Sequence, residues 1–317
     1  MFKIREDSSG GLKRLKIQNT ATGEFVSIVP GFGANINELV LHKNGTLHPV
    51  IAGNRDISGF RGKGVFKGAK LIPFPNRLED GTYTFEGERY QLELNYPEEL
   101  NACHGFIYDK EFIIEGSAEK TDHASVKLVY HYNGFLPGYP FNCKIELDYT
   151  LGGSRGFRCR TCIENLGERS MPVGDGWHPF FGFQRKVDEL LLRFPAEQKI
   201  IVDERSIPSG ESLPYDLFDS LNRIGDIELD TCFRLKPGKD GIRISELYDR
   251  QKDVKLQLWQ ETGENKYNYL QIYIPPDRGS IAMEPMTCNI NAFNNREGLI
   301  ILRPEQKFEA GYGVKLA

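Results

Sequence analysis

The sequence has little of what would mark a membrane, nucleic-acid-binding or secreted protein. Its 317 residues contain no apolar run long enough to span a bilayer. The formal net charge is only -4, so no broad basic field is available to attract nucleic acid. The first segment, 1–15, is polar and broken by serine and glycine, so it lacks the apolar core of a signal peptide. A cytoplasmic protein is therefore expected.

Cysteine is also scarce, with six residues scattered through a long chain, unlike a small disulfide framework. Cys159 and Cys162 form the single C-x-x-C pair, which could mark a redox site or half of a zinc site. The surrounding stretch 157–163 has the pattern of a strand, where side chains three apart point to opposite faces. No second pair completes a zinc site, so ordinary thiols and no metal are expected.

The pattern that prevails is an alternation of apolar and polar residues with a period of two. Cys143, Ile145 and Leu147 alternate with charged residues, and the segments 254–258 and 270–274 behave in the same way. This alternation is typical of half-buried strands. Many strands, frequent turn residues and few helices indicate an all-β sandwich or barrel. With neither linker nor repeat, 1–317 is predicted to form a single domain.

Three local features refine this prediction. Glu86-Gly87-Glu88 lies between two alternating segments and is typical of a hairpin connection. Ser220 to Ile227 is predicted as one short helix. Two stretches, 63–77 and 199–219, are rich in glycine or proline and break the alternation. Long irregular segments of a β protein are often binding loops, although ordinary surface loops have the same composition.

Three residues stand in contexts that suit chemistry. Two of the six histidines, His104 and His178, have glycine and aromatic residues close by, whereas the other four favour structural roles. Glycine permits close backbone approach to a ligand, and aromatic faces suit the apolar face of a pyranose. Glu284 lies in a strongly apolar run, where a buried carboxylate needs partners or a raised pKa. For all three, a structural role remains the alternative.

Five segments in this order together resemble the aldose 1-epimerase (galactose mutarotase-like) family. They are Asn76 to Gly87, Asn101 to Gly105, Trp177 to Phe181, Leu229 to Phe233, and Glu284-Pro285-Met286-Thr287 followed by Asn291 to Asn294. The similarity extends from about Phe25 to the C-terminal strand. It implies a large antiparallel β-sandwich, with no organic cofactor and no catalytic metal.

The resemblance also implies a role for each candidate residue. Glu284 would be the base at the C1 hydroxyl of an aldose, and His178 the acid at the ring oxygen. His104, Arg77 and Asp230 would bind the substrate. An acid and a base at these positions could open and reclose the ring, exchanging the α and β anomers. A bell-shaped pH profile is expected, with the carboxylate setting its acid limb and the imidazole its alkaline limb.

Departures from the family pattern leave the substrate open. Phe106 follows His-Gly where galactose-acting members tend to have a second glycine, so galactose is not assumed. A hexose-phosphate mutarotase is one alternative, in which Lys63, Lys67, Lys70 and Arg77 would meet a phosphate.

Two other functions also remain as alternatives. The first is a sugar-binding module without activity. The second is a glycosidase that pairs Asp230 with Glu284 as its two carboxylates, but such an enzyme would leave the histidines without a role. Under each of these functions the partner is a small sugar. The protein is expected to be a monomer or homodimer, with neither form preferred.

Overall fold

The computed structural model describes residues 1–61 and 66–317, and its regular structure there is almost entirely β. Over these residues it contains 26 strands and one short α-helix, α1 (Ala292–Asn295). Short 3-10 turns lie at Ile57–Phe60, Pro97–Glu99, Gly153–Arg155 and Val187–Glu189. No helix in this described part of the chain has the length and apolar character needed to cross a membrane.

Two large antiparallel sheets form the body of the molecule. The first has eleven strands in the order β1 (Phe2–Ser9), β2 (Leu12–Asn19), β3 (Phe25–Val29), β4 (Asn35–Lys43), β5 (Thr46–Ile51), β15 (Phe180–Phe181), β24 (Ile281–Met286), β23 (Tyr269–Tyr273), β20 (Asp230–Leu235), β17 (Ala196–Val202) and β18 (Pro208–Pro214). The second has nine: β10 (Ile113–Glu119), β11 (His123–Asn133), β12 (Asn142–Gly152), β13 (Phe157–Asn165), β26 (Lys307–Leu316), β22 (Val254–Glu261), β21 (Ile242–Asp249), β16 (Leu191–Arg193) and β19 (Asn222–Arg223).

Three small two-stranded sheets complete the described structure. They are β6 (Arg77–Glu79) with β9 (Asn101–Cys103), β7 (Thr82–Phe85) with β8 (Glu88–Gln91), and β14 (Met171–Val173) with β25 (Ile300–Leu302). The β7–β8 pair confirms the predicted hairpin. Glu86 and Gly87 at its turn both have positive φ, 49° and 84°, as a tight two-residue turn requires.

The main core lies between the two large sheets and confirms the predicted all-β sandwich. Along β12, Cys143, Ile145 and Leu147 are buried and join one apolar cluster with residues of the first sheet. The Tyr149 hydroxyl of β12 donates a hydrogen bond to the Ala34 carbonyl at 3.0 Å, which ties the layers together. The period-two alternation in the sequence therefore reflects the burial of one face of each strand.

The predicted helix at 220–227 is wrong. Asn222–Arg223 forms strand β19, which pairs with β16 at the edge of the nine-stranded sheet. The Ile224 and Gly225 amides bond to the Leu190 and Asp188 carbonyls rather than to carbonyls four residues earlier. These backbone groups thus form their hydrogen bonds with a neighbouring segment, whereas in a helix they would bond to one another.

The six cysteines lie in the interior of the protein. All are free thiols, and all are buried. Cys159 and Cys162 lie in β13 as predicted, in the second sheet. In the described part of the chain, no group of three or more His, Cys, Asp or Glu side chains is arranged to hold a metal ion.

The outer face of the eleven-stranded sheet is covered rather than exposed. In β24, Met283 joins the main core while Glu284 points to the opposite face. In β23, Leu270 and Ile272 likewise join the core, and Gln271 lies directly across from Glu284 in the ladder. The segment 66–106 packs over this outer face, creating a second, more polar interior.

Candidate functional site

A cavity of about 440 Å³ opens between the outer face of the first sheet and the covering segment. The five residues predicted from the sequence, His104, His178, Arg77, Asp230 and Glu284, all line it. They come from five different parts of the chain, so the fold brings them together. Its other walls include Phe66, Lys67, Asn76, Tyr96, Cys103, Phe180, Gln271, Tyr273 and Asp277.

Glu284 and His178 form the centre of this cavity, with Glu284 Oε1 3.4 Å from His178 Nε2. Glu284 is held by the ladder between β24 and β23. His178 is held by its own backbone, because its amide donates to Ala69 and its carbonyl accepts from Gly68. The Phe180 ring stacks on the imidazole at 5.0 Å between centroids. Both side chains are therefore fixed before any ligand enters.

Burial controls the protonation of this pair. It raises the pKa of Glu284 well above its ordinary value, with the nearby Asp230 carboxylate adding to the rise and Arg77 opposing it. Burial also lowers the pKa of His178 to about 4. The order expected from the sequence, with the carboxylate titrating below the imidazole, is thus reversed. When the pair holds a single proton, that proton is therefore on the Glu284 carboxyl and the His178 imidazole is neutral.

Each member of the pair also keeps one polar atom without a hydrogen bond to any described residue. These atoms are Glu284 Oε2 and His178 Nδ1, and both are buried. Buried polar atoms are normally satisfied, and leaving one unpaired costs about 1–3 kcal/mol. Such atoms in a cavity are what a site for a hydroxylated ligand would offer.

His104 lies beside this pair in a tightly constrained turn after β9. Its φ is 65°, and a side chain on the following Gly105 would lie 2.1 Å from the Ile72 carbonyl oxygen. The Asn76 amide donates to His104 Nδ1 at 3.2 Å, so the neutral ring carries its proton on Nε2. Burial, with smaller effects from His178 and Arg77, holds its pKa well below the usual range. His104 is therefore a neutral hydrogen-bond donor.

Arg77 and Asp230 lie at another wall of the cavity, and each already has a partner. Arg77 Nε donates to Glu99 Oε2 at 2.7 Å, which fixes the plane of the guanidinium. Asp230 accepts from Gln271 Nε2 at 2.6 Å. Asp230 is accessible to solvent within the cleft, yet the cleft walls displace enough water to raise its pKa, against the opposing effect of Arg77.

Two polar residues that the sequence did not single out connect these groups. Gln271 Oε1 accepts from Asn76 Nδ2 at 3.3 Å while Gln271 Nε2 donates to Asp230. Through Asn76, this chain of hydrogen bonds reaches His104. The sequence did not reveal Gln271 because it is one of the polar residues of an alternating strand. Polar residues at such positions usually face solvent. Asn76 was visible only as the neighbour of Arg77.

The cationic residues that could have met a phosphate are separated by the fold. Lys70 is fully buried and paired with Asp175, so it cannot reach the cavity. Lys67 lines the cavity, where burial lowers its pKa and the Asp277 carboxylate partly offsets that effect. Lys63 lies outside the described residues. Within the described chain, Lys67 and Arg77 are thus the members of this predicted group that border the cavity.

The two irregular stretches have different outcomes. The described residues of 63–77 include Phe66, Lys67 and Arg77, which line the cavity as a binding loop would. By contrast, the stretch 199–219 is not wholly irregular, because it contains the end of β17 and all of β18. Its proline and glycine occur within a twisted edge hairpin, where such residues are tolerated.

Comparison with known proteins identifies the family. The sequence profile of the family described as aldose 1-epimerase matches residues 14–315. The uncharacterized protein YihR of Escherichia coli K12 is 30% identical over 262 residues, covering 78% of this chain and 79% of that relative. A maltose epimerase of Levilactobacillus brevis is 24% identical over 228 residues, covering 66% of each. Human galactose mutarotase is 24% identical, covering 65% of this chain and 59% of its own length.

Solved structures show the same fold. A galactose mutarotase-like protein from Clostridium acetobutylicum superposes with a TM-score of 0.88 at 20% identity, covering 100% of this chain and 98% of that one. A galactose 1-epimerase from Lactobacillus acidophilus gives a TM-score of 0.79 at 17% identity, covering 100% and 98%. With a family match over nearly its whole length, the chain belongs to the aldose 1-epimerase family and is an isomerase that acts on carbohydrates.

Proposed function

We propose that the protein interconverts the α and β anomers of a free aldose. The observation that carries this proposal is the Glu284–His178 pair, in which a buried carboxyl and an imidazole lie 3.4 Å apart in the cavity. Anomer exchange needs one proton removed from the C1 hydroxyl and one supplied to the ring oxygen. A single-proton pair meets both needs without a net gain or loss of protons.

The reaction follows from moving that proton within the pair. In the reactive form His178 is protonated and Glu284 ionised. Glu284 takes the proton of the C1 hydroxyl as His178 gives its proton to the ring oxygen. The bond between C1 and the ring oxygen then breaks, leaving an aldehyde and a free hydroxyl. Rotation about the C1–C2 bond and the reverse transfers close the ring as the other anomer.

The remaining residues would hold the sugar without changing protonation. The neutral His104 offers Nε2–H to the ring oxygen or a neighbouring hydroxyl. Arg77 donates and Asp230 accepts, which suits hydroxyl groups that need both. The rings of Phe180 and Tyr273 provide apolar surface for the carbon face of a pyranose.

A free aldose is favoured over a sugar phosphate as the substrate. Lys70 is neutralised by Asp175, and Arg77 is already bound to Glu99. Lys67 alone among these cations borders the cavity without a salt bridge to a described residue, and Asp277 is close to it. One lysine beside a carboxylate is a weak site for a dianion.

The test is anomer exchange measured by polarimetry and by NMR with freshly dissolved sugars. We expect acceleration with α-D-glucose or α-D-galactose and a lower kcat/KM with glucose 6-phosphate. A preference for the phosphate would reassign the substrate class. Sugar binding without any exchange across a panel of aldoses would instead indicate an inactive binding module.

We further propose that 1–317 acts as one domain in the cytoplasm. One apolar cluster contains residues from Phe2 to Val314, so both ends of the chain contribute to the same core. All six cysteines are free thiols, which suits a reducing compartment.

A further inference from the structure

A cavity of about 260 Å³ lies at the turn between β12 and β13, on the outer face of the nine-stranded sheet. Thr150 and Arg158, which pair with each other across these two strands, both line it. Their neighbours Leu151 and Phe157 point the other way and belong to the main core. The core of the sandwich therefore separates this cavity from the candidate active site, and the proposed anomer exchange makes no use of it.

The side chains around this cavity are rich in hydrogen-bond donors and carry positive charge. Besides two glycines, the lining consists of His123, Thr150, Ser154, Arg155 and Arg158. Among the described residues, no carboxylate belongs to this lining. The chain as a whole has more acidic than basic residues, 44 against 40, so such a lining is a local departure from its average charge. A concave surface with charge of one sign concentrates ligands of the opposite sign.

Arg158 has hydrogen-bonding capacity that the described residues leave unused. Its Nη2 donates to Thr150 Oγ1 over a long 3.4 Å, while its Nε is buried and has no hydrogen-bond partner. Arg160, the next outward-facing residue of β13, is paired with Glu309, whereas neither arginine of the cavity has a salt bridge to a described residue. A buried donor without a partner is costly, so a ligand that brings acceptor oxygens would be favoured here.

The lining is held in place by contacts with two neighbouring strands. The Gly153 amide donates to the Asp122 carbonyl at 3.0 Å, which ties the turn to the start of β11. The Asp122 carboxylate accepts from His123 Nδ1 at 2.9 Å and does not line the cavity. On the other side, the Arg155 guanidinium lies 5.1 Å from the centre of the Trp259 ring, and Trp259 Nε1 donates to the Arg155 carbonyl. A preformed site lowers the entropic cost of binding.

We propose that this cavity is an anion site for a phosphate or sulfate group. The planar fork of an arginine matches the spacing of the oxygens of these groups, and hydrogen bonds between two charged partners are strong. The Ser154 hydroxyl can donate as well, and Thr150 can donate because its oxygen only accepts from Arg158. The same chemistry would bind the free anion or the phosphate of a small ester. This site is independent of the sugar site.

The test is a titration with phosphate, sulfate and glycerol 3-phosphate at constant ionic strength, followed by N–H correlation NMR, with chloride as the reference anion. The chain has two tryptophans, of which Trp259 contacts Arg155 and Trp177 lies in the main core. We expect saturable shifts of the Trp259 indole signal and of the Arg158 Nε–H signal, with the Trp177 indole signal unchanged. No saturable shift with any of the three anions, or a shift of Trp177 alone, would overturn the proposal.

A matched pair of variants separates a built site from the general charge of the surface. Arg158→Met and Arg160→Met each remove one positive charge from the same face of β13, but Arg160 does not line the cavity. Arg158→Met should weaken phosphate and sulfate binding about tenfold or more, because it removes charge-assisted hydrogen bonds. Arg160→Met should weaken binding less than about twofold, since its charge is screened by salt. Equal weakening by both variants would overturn the proposal.

A second cavity variant guards against misfolding of the first. Arg155 is exposed and lies in the turn outside the strands, so Arg155→Met should fold normally. We expect it to weaken anion binding about threefold to tenfold. Wild-type affinity in both Arg155→Met and Arg158→Met would contradict the assignment. Equal affinities for phosphate and glycerol 3-phosphate would support a site for esters, and binding of the inorganic anions alone would support a site for the free anion.

Discussion

Two buried pairs of acidic and basic side chains, Lys70–Asp175 and Glu284–His178, differ in how closely their partners surround them. Lys70 Nζ lies 2.6 and 2.8 Å from the two Asp175 oxygens, and both side chains are completely buried. Tyr267 also donates to Asp175 at 2.6 Å, and Lys70 donates to Thr161 at 3.1 Å. The Glu284–His178 pair is longer, at 3.4 Å, and leaves one polar atom on each side chain without a partner.

The difference distinguishes a structural pair from a reactive one. Removing two charges from water is tolerated when close contact and extra hydrogen bonds compensate, as they do around Asp175. Glu284 and His178 lack that compensation, and burial shifts both pKa values toward the neutral forms. Perturbed groups with unused hydrogen-bonding capacity concentrate where a ligand completes the network. Changes to the two pairs should therefore have opposite effects on activity and stability.

Glu284→Gln should produce the largest effect, a loss of turnover of about 10³-fold or more, because Glu284 is the carboxyl that lies beside His178 and would accept the C1 proton. Stability at neutral pH should be retained, since the amide needs no proton to remain neutral. Anomer-exchange NMR and urea unfolding would measure the two properties. Glu211→Gln, an exposed change of the same kind on β18, is the control. Wild-type turnover in the folded Glu284→Gln variant would remove the carboxyl from the mechanism.

Asp175→Asn should act in the opposite way, lowering stability by about 3–5 kcal/mol because the Lys70 ammonium remains buried without its counter-charge. Adding Lys70→Met should recover about 1–3 kcal/mol, since the two residues interact directly. Urea unfolding of both single variants and the double variant would measure this coupling. Independent, additive losses would show that the pair is not the coupled unit that its geometry indicates.

The pH dependence sharpens the same comparison. Below about pH 4 the pair takes up a second proton on His178, so both side chains are protonated. Glu284 can then no longer accept the C1 proton, and kcat/KM should fall on this acid limb. On the alkaline side, activity should fall as the pair loses its one proton through the raised pKa of Glu284. NMR titration of His178 would check the assignment. An imidazole that titrates on the alkaline limb would restore the order expected from the sequence.

Stability should follow the same groups with a defined sign. A raised folded-state pKa stabilises the protein only while the carboxyl is protonated. Wild type should therefore lose stability relative to Glu284→Gln as pH rises from 4.5 through the raised pKa of Glu284. Unfolding free energies of both proteins across this range would show the divergence. A constant difference would mean that Glu284 has the same pKa folded and unfolded.

Much of the fold and the centre of the site could be predicted from the sequence, for a physical reason. Alternation reports one-sided burial directly, so strands such as β12 and the hairpin at Glu86-Gly87 were predictable. His104, His178 and Glu284 stood out because their chemistry conflicts with glycine-rich or apolar surroundings. Such conflicts are most common where function overrides local preference.

The rest depended on contacts between distant segments. Gln271 and Tyr273 have the spacing of solvent-facing residues, yet the covering segment 66–106 turns that face into a cavity wall. The helix predicted at 220–227 failed because β16 supplies hydrogen bonds from 30 residues away. The pKa order of Glu284 and His178 was likewise reversed by burial, which residue type alone does not reveal.

Gln271→Met should have the smallest effect and tests whether the hydrogen-bonded chain from Asp230 to His104 positions the substrate. Met keeps the volume of Gln but cannot bond to Asp230 or Asn76. Losing these bonds should raise KM about fivefold to tenfold, with kcat changed less, because Gln271 would orient binding groups rather than transfer protons. Steady-state anomer exchange would separate KM from kcat. An equal loss in kcat at unchanged KM would instead show that Gln271 acts on the reactive pair. Gln271 lies directly opposite Glu284 in the ladder between β23 and β24.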